Sequence, residues 1–215
     1  MTQVDEASPF PVALALAGRP VLVLGGGDEA SDKLPRLLAA GARVTVVSPQ
    51  VGPDIEAHAV RGSVRWFARA FHPSDLQGAH LVLLTDLDTT LATRLRELKR
   101  TYPFWLCAVD QPTFSDLFLV STLTRGPVQI AISTAGKAPL LARRLRQELS
   151  RGLDAQFAEF ARKFADLRAR LRTVPKQRRK EQLELALNGF AIELRVGYPP
   201  GNPLGEVPPD GSGDP

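Results

Sequence analysis

The chain has 215 residues, 44% of them hydrophobic, and a formal net charge of +4, which excludes global disorder and fits one large domain or two small ones. Its lone cysteine, Cys107, excludes an intramolecular disulfide framework and points to a reducing, cytoplasmic location. No apolar run reaches the roughly 20 residues of a membrane span, and Met1–Glu6 lacks the basic start of a signal peptide, so no membrane partner is expected.

After Pro9-Phe10-Pro11, an apolar strand over Val21–Leu24 stops at Gly25-Gly26-Gly27-Asp28-Glu29-Ala30. The glycines are spaced G-x-G-x-x-A, and a helical pattern follows from Glu29 to Ala40, with Pro35 expected to kink it. Such a strand–turn–helix lets a pyrophosphate approach the backbone and the N–H groups that open the helix, with Ala30 allowing close helix–strand packing. Arg43–Ser48 reads as the second strand, Asp54–Val60 as a helix and Val64–Phe67 as a short strand. Leu81–Thr85 and Trp105–Val109 are apolar strands around a helix from Thr89 to Arg100, with Asp86 and Asp88 as candidate N-caps. Apolar strands alternating with helices predict a parallel sheet covered on both faces, so the fold class is α/β with a Rossmann-like N-terminal domain over residues 1–112.

The pattern then changes. Asp116–Thr124 and Val128–Ser133 read as strands joined by Arg125-Gly126-Pro127, an antiparallel pair in a small dimerisation segment over 113–149. Helices follow over Leu140–Leu149, Leu153–Arg172 and Lys176–Leu194, making a helical domain over 150–197. In the middle one Leu153, Phe157, Phe160, Phe164, Leu167 and Leu171 form an apolar stripe for core or dimer packing. Tyr198–Pro215, rich in Pro, Gly and Asp, is expected to be a disordered tail. The late arginines and lysines read as solvated helical faces or a seat for a polyanion, without the interleaved aromatics of a nucleic-acid surface.

Nucleotide sites in open parallel sheets lie at the carboxyl ends of the strands, which here carry Gly25–Ala30, Ser48-Pro49, Thr85-Asp86 and Asp110-Gln111-Pro112. The second strand ends in Ser48 where an acidic residue usually grips the ribose. A serine still bonds a ribose hydroxyl, and no arginine beyond Arg43 marks a 2′-phosphate pocket, so NAD is the expected cofactor. Thr85 is placed to bond cofactor or substrate. Asp110 is the candidate catalytic base for a proton leaving with a hydride, against the alternative of a turn aspartate before Pro112. At the junction before Leu140, Ser133, Thr134, Lys137 and Arg143 are candidates to receive carboxylates, against the alternative of an ordinary helix cap. His58, His72 and His80 are scattered and no metal site is expected.

Three stretches together resemble the precorrin-2 dehydrogenase / sirohydrochlorin ferrochelatase family, which includes the N-terminal module of sirohaem synthases. They are Phe10-Pro11-Val12 with Val21–Gly27, Lys33 and Gly41–Pro49; Thr85-Asp86 with Ala108-Val109-Asp110; and Ile130–Arg143. The resemblance implies NAD-dependent oxidation of precorrin-2 to sirohydrochlorin, a homodimer built on the middle segment, and Asp110 as the aspartate important for activity. Some members also insert ferrous iron, which makes iron a further candidate substrate. Asp32, Leu91, Val120 and Ala138 depart from the residues usual in the family. Two other classes stand beside the enzyme: a non-catalytic NAD-binding regulatory module, and nucleic-acid binding by the basic helices.

Overall fold

Four strands are hydrophobic along nearly their whole length because both of their faces are covered. The protein is described by a computed structural model over residues 9–193 and residue 196. The tail expected over 198–215 and the end of the helix expected to reach Leu194 lie outside these residues. Strands β1 (Pro20–Leu24), β2 (Arg43–Val47), β3 (Arg65–Phe67), β4 (Leu81–Leu84) and β5 (Trp105–Ala108) form one parallel sheet in the order β3-β2-β1-β4-β5. Val21 is in register with Val44 on one side and Leu81 on the other, so β1 and β4 lie at the centre.

Side chains alternate across this sheet with the period of two that a strand imposes. Val21, Val23, Val44, Val46, Leu81 and Leu83 meet Leu34 and Leu37 of α1 (Asp28–Ala39) and Ile55 of α2 (Pro53–Val60) on one face. Leu22, Leu24, Val82, Leu84 and Leu106 meet Leu76 and, from α3 (Thr89–Leu98), Ala92 and Leu95 on the other. Leu83 is fully buried (0% exposed). Leu83→Ala is expected to cost about 2–5 kcal/mol, read from the midpoint of urea unfolding. α1 runs unbroken through Pro35, which lies on its exposed side while Leu34 and Leu37 point inward.

The sixth strand begins later than the hydrophobic pattern predicts. Asp116 is committed to β5: its N–H donates to the Leu106 carbonyl at 2.8 Å, and its carboxylate accepts from the Leu106 N–H at 2.7 Å and pairs with Lys99. The chain is released into strand β6 (Ser121–Arg125) only after that anchor, and β6 pairs antiparallel with β7 (Val128–Ile132). This hairpin is held on the helices that follow, α4 (Pro139–Gly152) and α5 (Ala155–Arg170). The Arg125 guanidinium donates to the carbonyls of Leu153 (2.6 Å) and Ser150 (3.2 Å), satisfying acceptors left free at the end of α4. A Cβ on Gly126 would stand 2.8 Å from the Ala158 carbonyl, so the hairpin turn seats directly on α5. Asp154 caps α5 through the Phe157 N–H, and α6 (Lys176–Ala186) stops short of Gly189, whose φ of +78° no helix interior allows.

Along α5 the predicted stripe is half-buried at Phe157, Phe160, Phe164 and Leu167, and Leu153 just before the helix is buried, as are Ala158 and Ala161 beside the stripe. Phe160 stacks on Phe190 with ring centroids 5.2 Å apart. Many of the basic residues on these helices sit in exposed ion pairs within a turn of their partner, Arg144 and Arg151 with Glu148 and Arg162 and Lys163 with Glu159. Such pairs belong to a solvated face. Among the described residues no helix is long and apolar enough to cross a membrane.

Candidate functional site

The strand order reverses between β1 and β4, and the crevice at their carboxyl ends is where an open parallel sheet receives a ligand. The glycine turn lies on this line, and its three glycines stand in different surroundings. Gly25 has φ +116°, and a Cβ there would stand 2.2 Å from Thr85 Oγ1 and 2.5 Å from an Asp86 carboxylate oxygen. A Cβ on Gly26 would meet the Gln50 carbonyl at 2.1 Å. Gly27, the N-cap of α1, has ordinary extended dihedrals (φ −81°, ψ −163°), and its Cβ would meet nothing within 4 Å. No side chain caps α1, so the N–H groups of its first turn open onto that same space. Ala30 is buried (2% exposed) against the sheet.

Asp28 and Glu29 also stand in the first turn of α1, and Glu29 is neutralised by Lys33 Nζ at 2.8 Å. Burial works against the Lys33 charge, but its bonds to Asp32 and Glu29 outweigh it and hold the ammonium above its ordinary range. The Lys33 bond is also the main reason the Asp32 carboxyl lies below its usual value, with smaller help from Arg36 and Arg143. Arg143 of α4 is therefore within electrostatic reach of α1.

Ser48 and Thr85 are both buried, and their hydroxyl protons are already used. Ser48 Oγ donates to the Gln50 carbonyl at 2.6 Å, and Thr85 Oγ1 donates to the Leu24 carbonyl at 3.0 Å. Each oxygen retains acceptor capacity toward a ligand hydroxyl. Pro49 follows Ser48 at the exposed rim. Arg43 stands at the opposite end of β2, and Arg69, just beyond β3, is committed to Asp75 by a two-pronged bond of 2.6 and 2.8 Å.

Asp110 follows β5 at this same end of the sheet. It is exposed and has φ +57°, a left-handed conformation that few non-glycine residues adopt. Its carboxylate makes no hydrogen bond or ion pair among the described residues, so it does not cap the turn that follows. The turn is closed by Gln111, whose carbonyl accepts from the Phe114 N–H at 3.1 Å and from Ser115 Oγ. Asp86 does not cap α3 either: Asp88 does so alone, accepting from the Leu91 N–H at 2.8 Å. The Asp86 carboxylate lies over Gly25 instead, and partial burial, then the neighbouring Asp88, raises its pKa. Spacing gave no role to Gln111, which is buried and donates from Nε2 to the Asp86 carbonyl at 3.2 Å. No periodic pattern marks a glutamine after a strand end; its one signal is its place beside Asp110.

The second group of candidates surrounds the N-terminus of α4. Ala135 and Gly136 both have positive φ, and this turn folds on two hydroxyls. Ser133 Oγ accepts from the Ala135 N–H and Thr134 Oγ1 from the Ala138 N–H, both at 3.2 Å, which leaves each hydroxyl proton free to donate outward. Lys137 is on the exposed surface of the same turn and Arg143 on the exposed face of α4. Cys107 is buried in β5, and burial pushes its thiol up to about 11, so it is no nucleophile at neutral pH. Among the described residues no group of His, Cys, Asp and Glu is placed to hold a metal ion. A cleft of about 850 Å³ lies elsewhere, between Val128 and Ile130 of the hairpin and Phe157, Phe160, Phe164 and Phe190. It is the open side of the apolar stripe on α5.

Comparison with known proteins places this crevice in a family. The family described as "Putative NAD(P)-binding" matches residues 12–121, just over half of the chain, and that described as "Sirohaem biosynthesis protein central" matches residues 125–151. A sirohaem synthase of Neisseria meningitidis is 35% identical over 79% of this chain, and one of Methylococcus capsulatus is 35% identical over 87%. The matched parts are 36% and 40% of those relatives, so the chain spans well under half the length of the curated proteins it resembles. The solved structure of SirC, a precorrin-2 dehydrogenase, superposes with a TM-score of 0.71 at 26% identity, covering 82% of this chain and 88% of SirC. A nicotinamide-cofactor crevice, the central sirohaem segment and a matching fold occur here in one chain, which therefore belongs to the precorrin-2 dehydrogenase / sirohydrochlorin ferrochelatase family.

Proposed function

We propose that the chain oxidises precorrin-2 to sirohydrochlorin with NAD as the acceptor. The observation that carries this reading is Gly27. Its backbone is extended and nothing in the free chain lies within 4 Å of where its Cβ would stand, so the space above the opening of α1 is clear for a ligand. A pyrophosphate on the uncapped N-terminus of α1 fits that space. Gly25, Gly26, Asp28, Glu29 and Ala30 shape the same turn, with Ser48, Pro49 and Thr85 along the adenosine side and floor. NAD is favoured over NADP because the arginines of this region are elsewhere or engaged, Arg43 at the far end of β2 and Arg69 on Asp75.

Oxidation removes a hydride and a proton from the substrate. A nicotinamide held in this crevice would supply the hydride acceptor. Asp110 takes the proton: its carboxylate has no competing partner among the described residues, stands exposed at the crevice end of β5, and returns the proton to water afterwards. Ser133, Thr134, Lys137 and Arg143 receive carboxylates of the tetrapyrrole, with outward hydroxyl protons, two cationic side chains and the opening of α4 acting together. The divisions 1–112, 113–149 and 150–197 serve as cofactor domain, dimerisation segment and helical domain. A homodimer is supported by the apolar face that α4 leaves open, where Leu140, Leu141 and Leu145 are all exposed. Sedimentation of the purified chain tests that pairing; a monomer at micromolar concentration contradicts it.

The function is tested by anaerobic mixing of the protein with precorrin-2 and either NAD or NADP. Formation of NADH together with the sirohydrochlorin spectrum is expected, and a faster reaction with NADP contradicts the cofactor assignment. NADH binding without turnover favours a regulatory module instead.

A further inference from the structure

Asp86 was expected to cap a helix, and the structure frees it from that role. Its carboxylate makes no hydrogen bond among the described residues and overhangs Gly25, the first glycine of the turn. Its backbone is fixed from below: the carbonyl accepts from the Asp88 N–H at 2.8 Å and from Gln111 Nε2 at 3.2 Å. Gln111 is more than nine-tenths buried, yet its Oε1 is without a partner, an arrangement less favourable than an apolar side chain of the same shape. A buried amide kept at that cost calls for a role, and the one bond its side chain makes is to Asp86.

We propose that Asp86 is a cofactor-contacting residue, its carboxylate accepting from the hydroxyls of the second ribose, with Gln111 as the positioning residue behind it. This rests on the dinucleotide reading above. With the pyrophosphate on α1, one nucleoside extends over β2 and the other over β4 and β5, because the crevice straddles the point where strand order reverses. The second nucleoside passes from Gly25 over Asp86 toward Asp110. Its ribose offers two hydroxyl donors, and a carboxylate without internal partners is the acceptor that suits them. Asp110 then remains free for the proton, so the two aspartates of the crevice have separate duties.

Calorimetric titration with NADH, ADP-ribose and ADP separates the second ribose from the rest of the cofactor. Asp86→Ala is expected to weaken NADH and ADP-ribose alike by about tenfold and to leave ADP unchanged. Gln111→Leu is expected to weaken the same two ligands by a smaller factor, about threefold, without lowering the melting temperature, because the Asp86 carbonyl keeps its Asp88 donor and the unpartnered acceptor is removed. Equal loss of all three ligands in Asp86→Ala, or loss of NADH alone, overturns the ribose contact. A Gln111→Leu protein that melts lower while binding normally overturns the positioning role. Wild-type protein that binds none of the three overturns the dinucleotide reading itself, whereas normal binding by Asp86→Ala overturns only this proposal.

Discussion

Asp110→Asn is expected to lower turnover by about a hundredfold to ten-thousandfold, the range for loss of a positioned general base, while NADH binds within about twofold of wild type. Asparagine is the informative replacement because the backbone at 110 is left-handed (φ +57°), and asparagine tolerates that conformation nearly as well as aspartate. Alanine does not, so Asp110→Ala is expected to abolish turnover and also to lose about 1 kcal/mol of stability. Single-turnover kinetics with bound NAD separates the chemical step from product release. Full activity in Asp110→Asn removes Asp110 from catalysis, and loss of NADH affinity reassigns it to the cofactor site.

The glycine turn supplies the second large effect, and its residues are expected to fail in opposite ways. Gly25→Ala forces a Cβ to within 2.2 Å of Thr85 Oγ1 at a φ of +116°. It is expected to destabilise the fold by about 3 kcal/mol or more, combining backbone strain with overpacking at the carboxyl end of the central strand. A Cβ at Gly27 meets no atom within 4 Å, and the backbone there is extended, so Gly27→Val needs no unusual angle. Gly27→Val is expected to cost only about 1 kcal/mol, the loss of a favourable N-cap residue, while NADH affinity falls at least about tenfold, since the branched side chain occupies the space above the opening of α1. Urea unfolding and NADH titration on both variants read the two effects separately. A Gly27→Val protein that binds NADH normally contradicts a pyrophosphate at that opening.

Much of this organisation is legible in the residues themselves. Leu81–Leu84 and Val21–Leu24 announce central strands because burial on both faces leaves no polar alternation, and G-x-G-x-x-A marks a sharp turn that follows such a strand and opens a helix. The strand expected from Asp116 starts at Ser121 because a carboxylate bonded to β5 is a long-range event with no local pattern. Pro35 leaves α1 unbroken because it faces solvent, which periodicity around Leu34 and Leu37 hints at but a breaker rule overrides. At the site, spacing named Ser48, Thr85 and Asp110, yet it could not show that the two hydroxyls are already donating or that Asp110 is left-handed. The partnership of Asp86 with Gln111 was hidden for the same reason, since it joins the ends of two strands through one side chain.

In the proposed reaction one tetrapyrrole and one NAD exchange a hydride in this crevice, with Asp110 taking the proton. The most direct measurement is the stoichiometry of an anaerobic reaction of the full chain with limiting precorrin-2 and excess NAD, followed for NADH and sirohydrochlorin together. One NADH for each sirohydrochlorin, at a rate proportional to protein and abolished in Asp110→Ala, is the predicted result. Sirohydrochlorin appearing without NADH, or neither appearing from protein that binds NADH, contradicts it.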